Sequence, residues 1–269
     1  MDIKNKVAII TGASSGIGRA LAYEMHKNGV KLVLGARNSV ILDSMVTEMG
    51  KNLAIAVPTD VTIEAECRNL IKVAIETFGR IDILVNNAGI SMRAAFEEVE
   101  MDVIRRVMDV NFWGTVYCTK YALPHIIATR GSIAGVISIA GYVGLPGRTG
   151  YSASKFAVRG FLETVRAENY KKGVHVLIAA PGFTASNIRY TALDSRGEVQ
   201  GESPRNESGM MSAEKCAHII FNAIKKRKRT VIMTFIEGKF TVFLSKFFPH
   251  LLEKLAYKHM AKEPNSPFK

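Results

Sequence analysis

Tryptophan and cysteine are scarce in this chain: one of the first and three of the second among 269 residues. Cys67, Cys118 and Cys216 lie far apart and form no Cys-x-x-Cys pair, which argues against a disulfide framework. Reduced, structural thiols in a cytoplasmic setting are the expectation. The six histidines form no ligand-like cluster, so no metal site is expected. Long apolar runs are missing as well. Nowhere do about eighteen uncharged apolar residues follow one another, so no spanning helix is expected. The opening "MDIKNKVAIITG" lacks the charged-then-apolar order of a secretory signal, and none is expected. No internal repeat is visible.

What is present suits a compact enzyme-like body. Apolar residues make up 48% of the chain and there are 22 glycines, a composition that argues against disorder. The length falls within the range of one α/β domain. The net charge is +12, of which +8 comes from residue 225 onward. Basicity therefore belongs to the tail and not to the body.

Short apolar runs alternate with longer amphipathic segments. Strands are expected at 7–11, 32–36, 53–57, 81–86, 134–139, 174–180 and 230–235. Helices are expected near 16–28, 38–49, 62–79, 100–129, 151–172 and 212–227. This rhythm predicts an α/β fold: a doubly wound parallel sheet between two helical layers. Right-handed crossovers place the carboxyl ends of the strands along one edge, where ligands bind. Residues 1–237 form the expected catalytic domain, with 183–211 as a polar substrate lid and 238–269 as a basic, aromatic-rich helical tail.

"TGASSGIG" (11–18) directly follows the first strand and opens the first helix. Gly12 allows the tight turn, Gly16 lets backbone approach a pyrophosphate, and Gly18 permits close helix packing. The helix N-terminus, with Ser14, Ser15 and Ile17 around it, offers N–H groups and a positive dipole end to phosphate. At the end of the second strand Ala36 stands where an acidic residue would hold a ribose 2′-hydroxyl, and Arg37 follows. A guanidinium without a neighbouring carboxylate suits a 2′-phosphate, which favours NADP(H) over NAD(H).

With "NNAG" (86–89), Asn111 in "DVNFWG", Ser138, "YSASK" (151–155) and "PG" (181–182), the chain resembles the short-chain dehydrogenases/reductases from about residue 4 to 235. The resemblance implies a Rossmann-type fold and hydride transfer to or from a nicotinamide. It implies Tyr151 as acid/base, and Lys155 as holder of the nicotinamide ribose and depressor of the tyrosine pKa. Ser138 would orient the substrate oxygen, and Asn111 would hold a relay water. Asp60 and Val61 would meet the adenine, and Asn87, Ala88 and Gly89 the adenosine ribose. Pro181, Gly182 and Thr184 would meet the carboxamide. Ser186 stands where the family often has threonine. Each residue has a plainer use, as a half-buried aromatic, a solvated lysine, a strand-end serine or a helical asparagine; at joint family spacing those uses recede.

Substrate contact is expected from Ser138, Tyr142, Tyr151 and Phe183, with Ile90, Val143 and Leu145 facing the lid. The implied reaction interconverts a carbonyl and a secondary alcohol on a mainly apolar small molecule, steroid-, retinoid- or acyl-like. A 3-oxoacyl-type reductase with a smaller substrate and a catalytically silent NADP-binding regulator are the alternatives. The region from "GESPRNESGMM" onward bears a looser likeness to the hydroxysteroid dehydrogenase-like branch, sometimes found on membranes. A homodimer or homotetramer built from the 100–129 and 151–172 helices is implied by the same likeness.

In the tail, Phe240, Phe243, Leu244, Phe247, Leu251 and Leu255 recur at helical steps among lysines. Such a stripe lies on a membrane surface or packs on protein, and the residues leave both readings open. Pro249 is expected to kink the run or start a second helix. "KKRKR" (225–229) lacks interleaved aromatics, so no nucleic acid is expected.

Overall fold

The structure, a computed structural model, describes residues 2–204 and 209–268. Residues 205–208 of the expected lid therefore lie outside the described residues. Seven parallel strands run in the order β3-β2-β1-β4-β5-β6-β7: β1 (Val7–Thr11), β2 (Lys31–Ala36), β3 (Ala54–Pro58), β4 (Ile83–Asn86), β5 (Ser132–Val136), β6 (His175–Ala180) and β7 (Thr230–Ile232). The order reverses between β1 and β4, which opens a crevice at their carboxyl ends.

Every residue of β1, β4, β5 and β6 is buried, as expected of parallel strands covered on both faces. Alternation along the strands then divides the apolar side chains between two layers. Leu32 and Leu34 of β2 join a core with α1 (Gly16–Lys27), α2 (Ser39–Met49) and α7 (Ala213–Lys225). Val33 joins the opposite core with α3 (Glu64–Phe78), α5 (Gly114–Thr129) and α6 (Thr149–Glu168). The result is one three-layer α/β domain.

Local chemistry sets several helix ends. Asn38 accepts a hydrogen bond from the Ile41 N–H at the start of α2, and Ser212 accepts one from Lys215 at the start of α7. Gly79 closes α3 with φ +72°, a conformation that glycine takes without a Cβ penalty.

Three elements depart from their expected bounds. β5 spans 132–136 where the apolar run suggested 134–139, because the chain leaves the sheet after Val136. The backbone then turns through Ser138 into a 3₁₀ turn at Ile139–Gly141. β7 ends at Ile232, since Thr234 adopts φ +62° and turns the chain away. The expected 100–129 helix is divided into α4 (Met101–Met108), a π-helical turn (Asp109–Trp113) and α5. Its inserted residue bulges the coil at Asn111, a local device that periodicity does not reveal.

The tail forms a π-helical turn (Phe235–Phe240), α8 (Thr241–Phe247) and α9 (Pro249–Ala261), and Pro249 opens the second helix as expected. Leu244 and Leu252 are buried in the α5/α6-side core, so the inner face of the stripe packs on protein. Phe243, Phe247, Phe248, Leu251 and Leu255 are exposed on the outside. Among the described residues no helix is long and apolar enough to cross a membrane.

Candidate active site

The crevice between β1 and β4 is braced by one hydroxyl. Thr11 Oγ1 donates to the Val85 carbonyl and accepts from the backbone N–H groups of Asn87 and Ala88, at 3.0 and 3.1 Å. Asn87 returns its amide Nδ2–H to the carbonyls of Thr11 and Gly12, at 3.0 and 3.2 Å. Gly12 holds φ +64°, and a Cβ there would stand 2.8 Å from the Ala88 Cα. At Gly18 a Cβ would come within 2.3 Å of the Gly12 carbonyl oxygen. Both positions therefore exclude any side chain, and the turn lies flat against the 87–88 segment.

This cradle fits a dinucleotide. Ser15, at the mouth of α1, is extended and makes no side-chain capping bond, so the first-turn N–H groups are left to a ligand. Gly16 lies across from Ser186, whose Cβ is 3.3 Å from the position of a Gly16 Cβ. The Ala13 N–H binds the Gly35 carbonyl and so ties the cradle to the end of β2, where Arg37 is exposed. Ser14 is half-buried, as is Ile17, which packs on the α1-side core. Asp60 accepts from the Thr62 N–H and hydroxyl, and Val61 is buried against Gly114. Pro181 accepts from the Ile139 N–H, and Gly182 packs on Thr234, while the backbone of Thr184 bridges to Met211.

Beneath the crevice the four expected catalytic residues converge. Tyr151 and Lys155, one turn apart on α6, share a face. The Lys155 ammonium lies 5.7 Å from the Tyr151 ring centroid and donates to the Val136 carbonyl at 3.2 Å. The Ser138 side chain is near enough to the Tyr151 phenol to act downward on its pKa. Ser138 holds φ +146°, a region that side-chain-bearing residues rarely occupy. Its Oγ also accepts from the Ala140 N–H, so the strained residue is held by its own side chain. A Cβ on Gly89 would stand 3.1 Å from Asn111 Oδ1 and 3.2 Å from Lys155 Nζ, which places these three residues together.

The side chain of Asn111 is fully engaged. Its Oδ1 accepts from the Ile90 N–H at 2.8 Å, and its Nδ2 donates to the Ile90 carbonyl and to Ser154 Oγ, at 3.0 and 2.8 Å. The π-helical turn thus turns a poorly helix-favouring asparagine inward as a strut between the 89–90 segment and α6. Sequence reasoning did not reach Ser154 or Thr11. Both were inside quoted motifs, yet their partners lie 43 and 74 residues away in the chain.

Burial pushes the Tyr151 phenol above its ordinary pKa; the nearby Ser138 side chain and the positive charges of Arg148 and Arg189 oppose that rise. Burial lowers the pKa of Lys155 to about 8. In the protein alone the two arginines, which the motif reading passed over, are the cations that act downward on Tyr151. Arg148 Nη1 donates to the Met92 carbonyl, and Arg189 Nη2 donates to the Thr184 carbonyl.

Tyr151 packs against an apolar group formed by Met92, Ala94, Val103, Val107 and Leu193, with Ile90 beside it. Leu193 belongs to the expected lid, and its N–H binds the Ser91 carbonyl while its own carbonyl accepts from Arg93. The described part of the lid is therefore pinned to the 91–93 segment. Phe183 stacks on His259 of α9 at 6.3 Å. Tyr142 is not brought into the Tyr151 group: its ring lies 4.0 Å from the Arg159 guanidinium, beside a 230 Å³ cavity shared with Leu252 and Glu253. Val143 and Leu145 pack in that same core. Among the described residues no cluster of His, Cys, Asp or Glu forms a metal site. Cys67 and Cys118, distant in sequence, meet in the buried α3–α5 contact, where the Cys67 thiol and burial together raise the Cys118 pKa.

Comparison with known proteins accords with this geometry. The family model described as short chain dehydrogenase matches residues 6–196. The mouse protein named dehydrogenase/reductase SDR family member 7B is 32% identical over 98% of this chain and 84% of its own length. The 11-beta-hydroxysteroid dehydrogenase A of Sesamum indicum is 39% identical over 73% of this chain and 58% of its own. A Burkholderia phymatum short chain dehydrogenase/reductase solved with NAD superposes with TM-score 0.75 at 28% identity, covering 86% of this chain and 89% of that one. An alcohol dehydrogenase from Thermococcus sibiricus, complexed with 5-hydroxy-NADP, gives 0.76 at 25% identity, covering 86% and 96%. The chain belongs to the short-chain dehydrogenase/reductase family, oxidoreductases that act on carbonyl and alcohol groups with a nicotinamide cofactor.

Proposed function

We propose that this protein is an NADP(H)-dependent oxidoreductase that interconverts a carbonyl and a secondary alcohol on a mainly apolar small molecule. The observation that carries the reading is the Lys155 ammonium 5.7 Å from the Tyr151 ring centroid, one turn along the same helix, with Ser138 acting on the Tyr151 phenol. The cofactor supplies the hydride. Ser138 and Tyr151 hold the substrate oxygen, and the Tyr151 hydroxyl gives it a proton in reduction or takes one in oxidation. A raised phenol pKa keeps that proton in place at neutral pH, which suits reduction. The apolar group around Tyr151 keeps water from the reacting carbon and favours an apolar substrate.

A panel of ketones and aldehydes, followed by NADPH absorbance beside NADH, tests the reading; no turnover on any class would end it. Arg37 supports the choice of NADP(H), being exposed at the end of β2 with no acidic residue at Ala36. Arg37→Ala should lower the ratio of kcat/KM for NADPH over NADH by about 10- to 100-fold, the worth of a charge-assisted bond to a 2′-phosphate. A ratio that stays put would show that the preference, if any, resides elsewhere.

We also propose that the protein assembles as a homodimer or homotetramer through the α5 and α6 faces. Trp113, stacked on Tyr117 at 5.9 Å, and Phe156 leave large apolar surface exposed there. Light scattering should record a multiple of 29.5 kDa, and Trp113→Glu should reduce it to the single-chain mass. A wild-type protein already at that mass would contradict the assembly.

A further inference from the structure

Arg148 is a cation in an uncongenial place. It stands at the N-terminal cap position of α6, three residues before Tyr151, and is only 9% exposed. A positive charge at that end of a helix runs against the macrodipole, and burial adds to its cost. Departures of this kind from local rules fall mostly at functional sites.

Backbone groups fix the residue there. Its Nη1 donates to the Met92 carbonyl at 2.6 Å, its N–H donates to the Leu145 carbonyl, and its own carbonyl accepts from the Ser152 N–H. Met92 also belongs to the apolar group against which Tyr151 packs, and a Cβ on Gly150 would stand 3.0 Å from its sulfur. The Arg148 guanidinium and the Tyr151 ring thus meet the same residue from the start of one helix.

The other charged groups nearby differ from this one. Lys155 lies 5.7 Å from the ring centroid, but burial lowers its pKa to about 8, so it gives up its charge as pH rises. Arg189 donates to the Thr184 carbonyl and to Met210 Sδ, both in the 183–211 segment, so its place follows the lid. Arg93, next to Met92, is paired with Glu263 Oε2 at 3.3 Å. The side chains packed on the ring from Met92, Ala94, Val103, Val107 and Leu193 are apolar. A guanidinium keeps its charge throughout the working range of pH.

We propose that Arg148 is a positioning residue of the reaction, a fixed cation of the protein body that stabilises the Tyr151 phenolate. The proposal rests on the oxidoreductase reading. In reduction the hydride adds to the carbonyl carbon and the Tyr151 O–H bond breaks. Its proton goes to the substrate oxygen, and the electron pair stays on the phenol oxygen. In oxidation the phenolate takes the proton back from the alcohol. The charge of Arg148 opposes the rise that burial imposes on the phenol, as this role requires.

The test compares Arg148→Gln with Arg148→Lys in the full-length protein. Both variants retain a donor for the Met92 carbonyl, and only the lysine retains the charge. The readout is the pH profile of kcat/KM for oxidation of a secondary alcohol with NADP+. In Arg148→Gln the rise of activity with pH should move up by about 1 pH unit, so that the rate near neutrality falls about tenfold and recovers in alkali. Arg148→Lys should restore most of the wild-type profile. A glutamine variant slowed equally at every pH, or one that lysine does not rescue, overturns the proposal. One that does not fold would make the residue a structural strut and overturn it too. If the wild type neither oxidises an alcohol nor reduces a ketone, the oxidoreductase reading is what has failed. Arg148 is then judged by NMR of protein carrying isotope-labelled tyrosine, with the Tyr151 signal identified by its loss in Tyr151→Phe. At about pH 10.5 Arg148→Gln should hold at least about threefold less Tyr151 phenolate than the wild type, and equal fractions overturn the proposal.

Discussion

Tyr151→Phe should lower turnover about 1,000-fold or more while leaving NADPH affinity within about threefold, the range expected for removing a general acid from a formed site. The ring is retained, and with it the packing on Met92, Ala94, Val103, Val107 and Leu193. What is lost is the hydroxyl beside Ser138. Losing one hydroxyl costs stability by no more than about 1 kcal/mol, so the variant stays folded. Single-turnover absorbance separates the two effects, since cofactor binding is measured by fluorescence before the ketone is added. If the variant kept a tenth of wild-type turnover, another group would have to be the acid.

Lys155→Met should have opposite effects on activity and stability. Activity should fall at least about 100-fold, because the residue beneath Tyr151 and beside Gly89 no longer offers a cation or a donor. Stability of the cofactor-free protein should rise. The lysine pKa is lowered by burial from 10.5 to about 8 in the folded state, so its charged form disfavours folding. Below pH 8 both states are protonated and the whole penalty is present. Between about 8 and 10.5 the folded protein releases the proton first, and the penalty is progressively removed as pH rises. The gap corresponds to about 3 kcal/mol, less about 1 for the lost bond to the Val136 carbonyl. Urea unfolding at pH 7 should therefore show the variant more stable by about 2 kcal/mol, with the difference fading toward pH 10.5. A variant less stable at pH 7, or a difference that does not shrink, would contradict this account of the buried charge.

The residues that converge at the crevice were legible because each chemical demand fixes a residue type at a chain spacing. The cradle needs glycine where Gly12 and Gly18 meet backbone, and a Tyr and Lys four apart fall on one helix face. The alternation of apolar runs likewise announced the parallel sheet. What escaped was whatever depends on residues meeting from distant parts of the chain. Apolar content could not place the end of β5, because Ile137 and Ile139 are as apolar as the strand they follow; the turn at Ser138 ends it. Nor could it foresee the inward turn of Asn111, which needs an inserted residue in the coil. Arg148 and Arg189 carry no local mark of acting on Tyr151, and Glu263 reads as one more charge in a basic tail until Arg93 is found against it.

The brace at Thr11 has a consequence for how the protein meets its cofactor. One hydroxyl and one amide fasten the first turn to the 87–88 segment with protein groups alone. The dinucleotide therefore enters a mould already set, and little chain entropy is surrendered on its arrival. A receptor of that kind keeps most of its contact energy as affinity and admits its guest at a rate governed by encounter rather than by rearrangement.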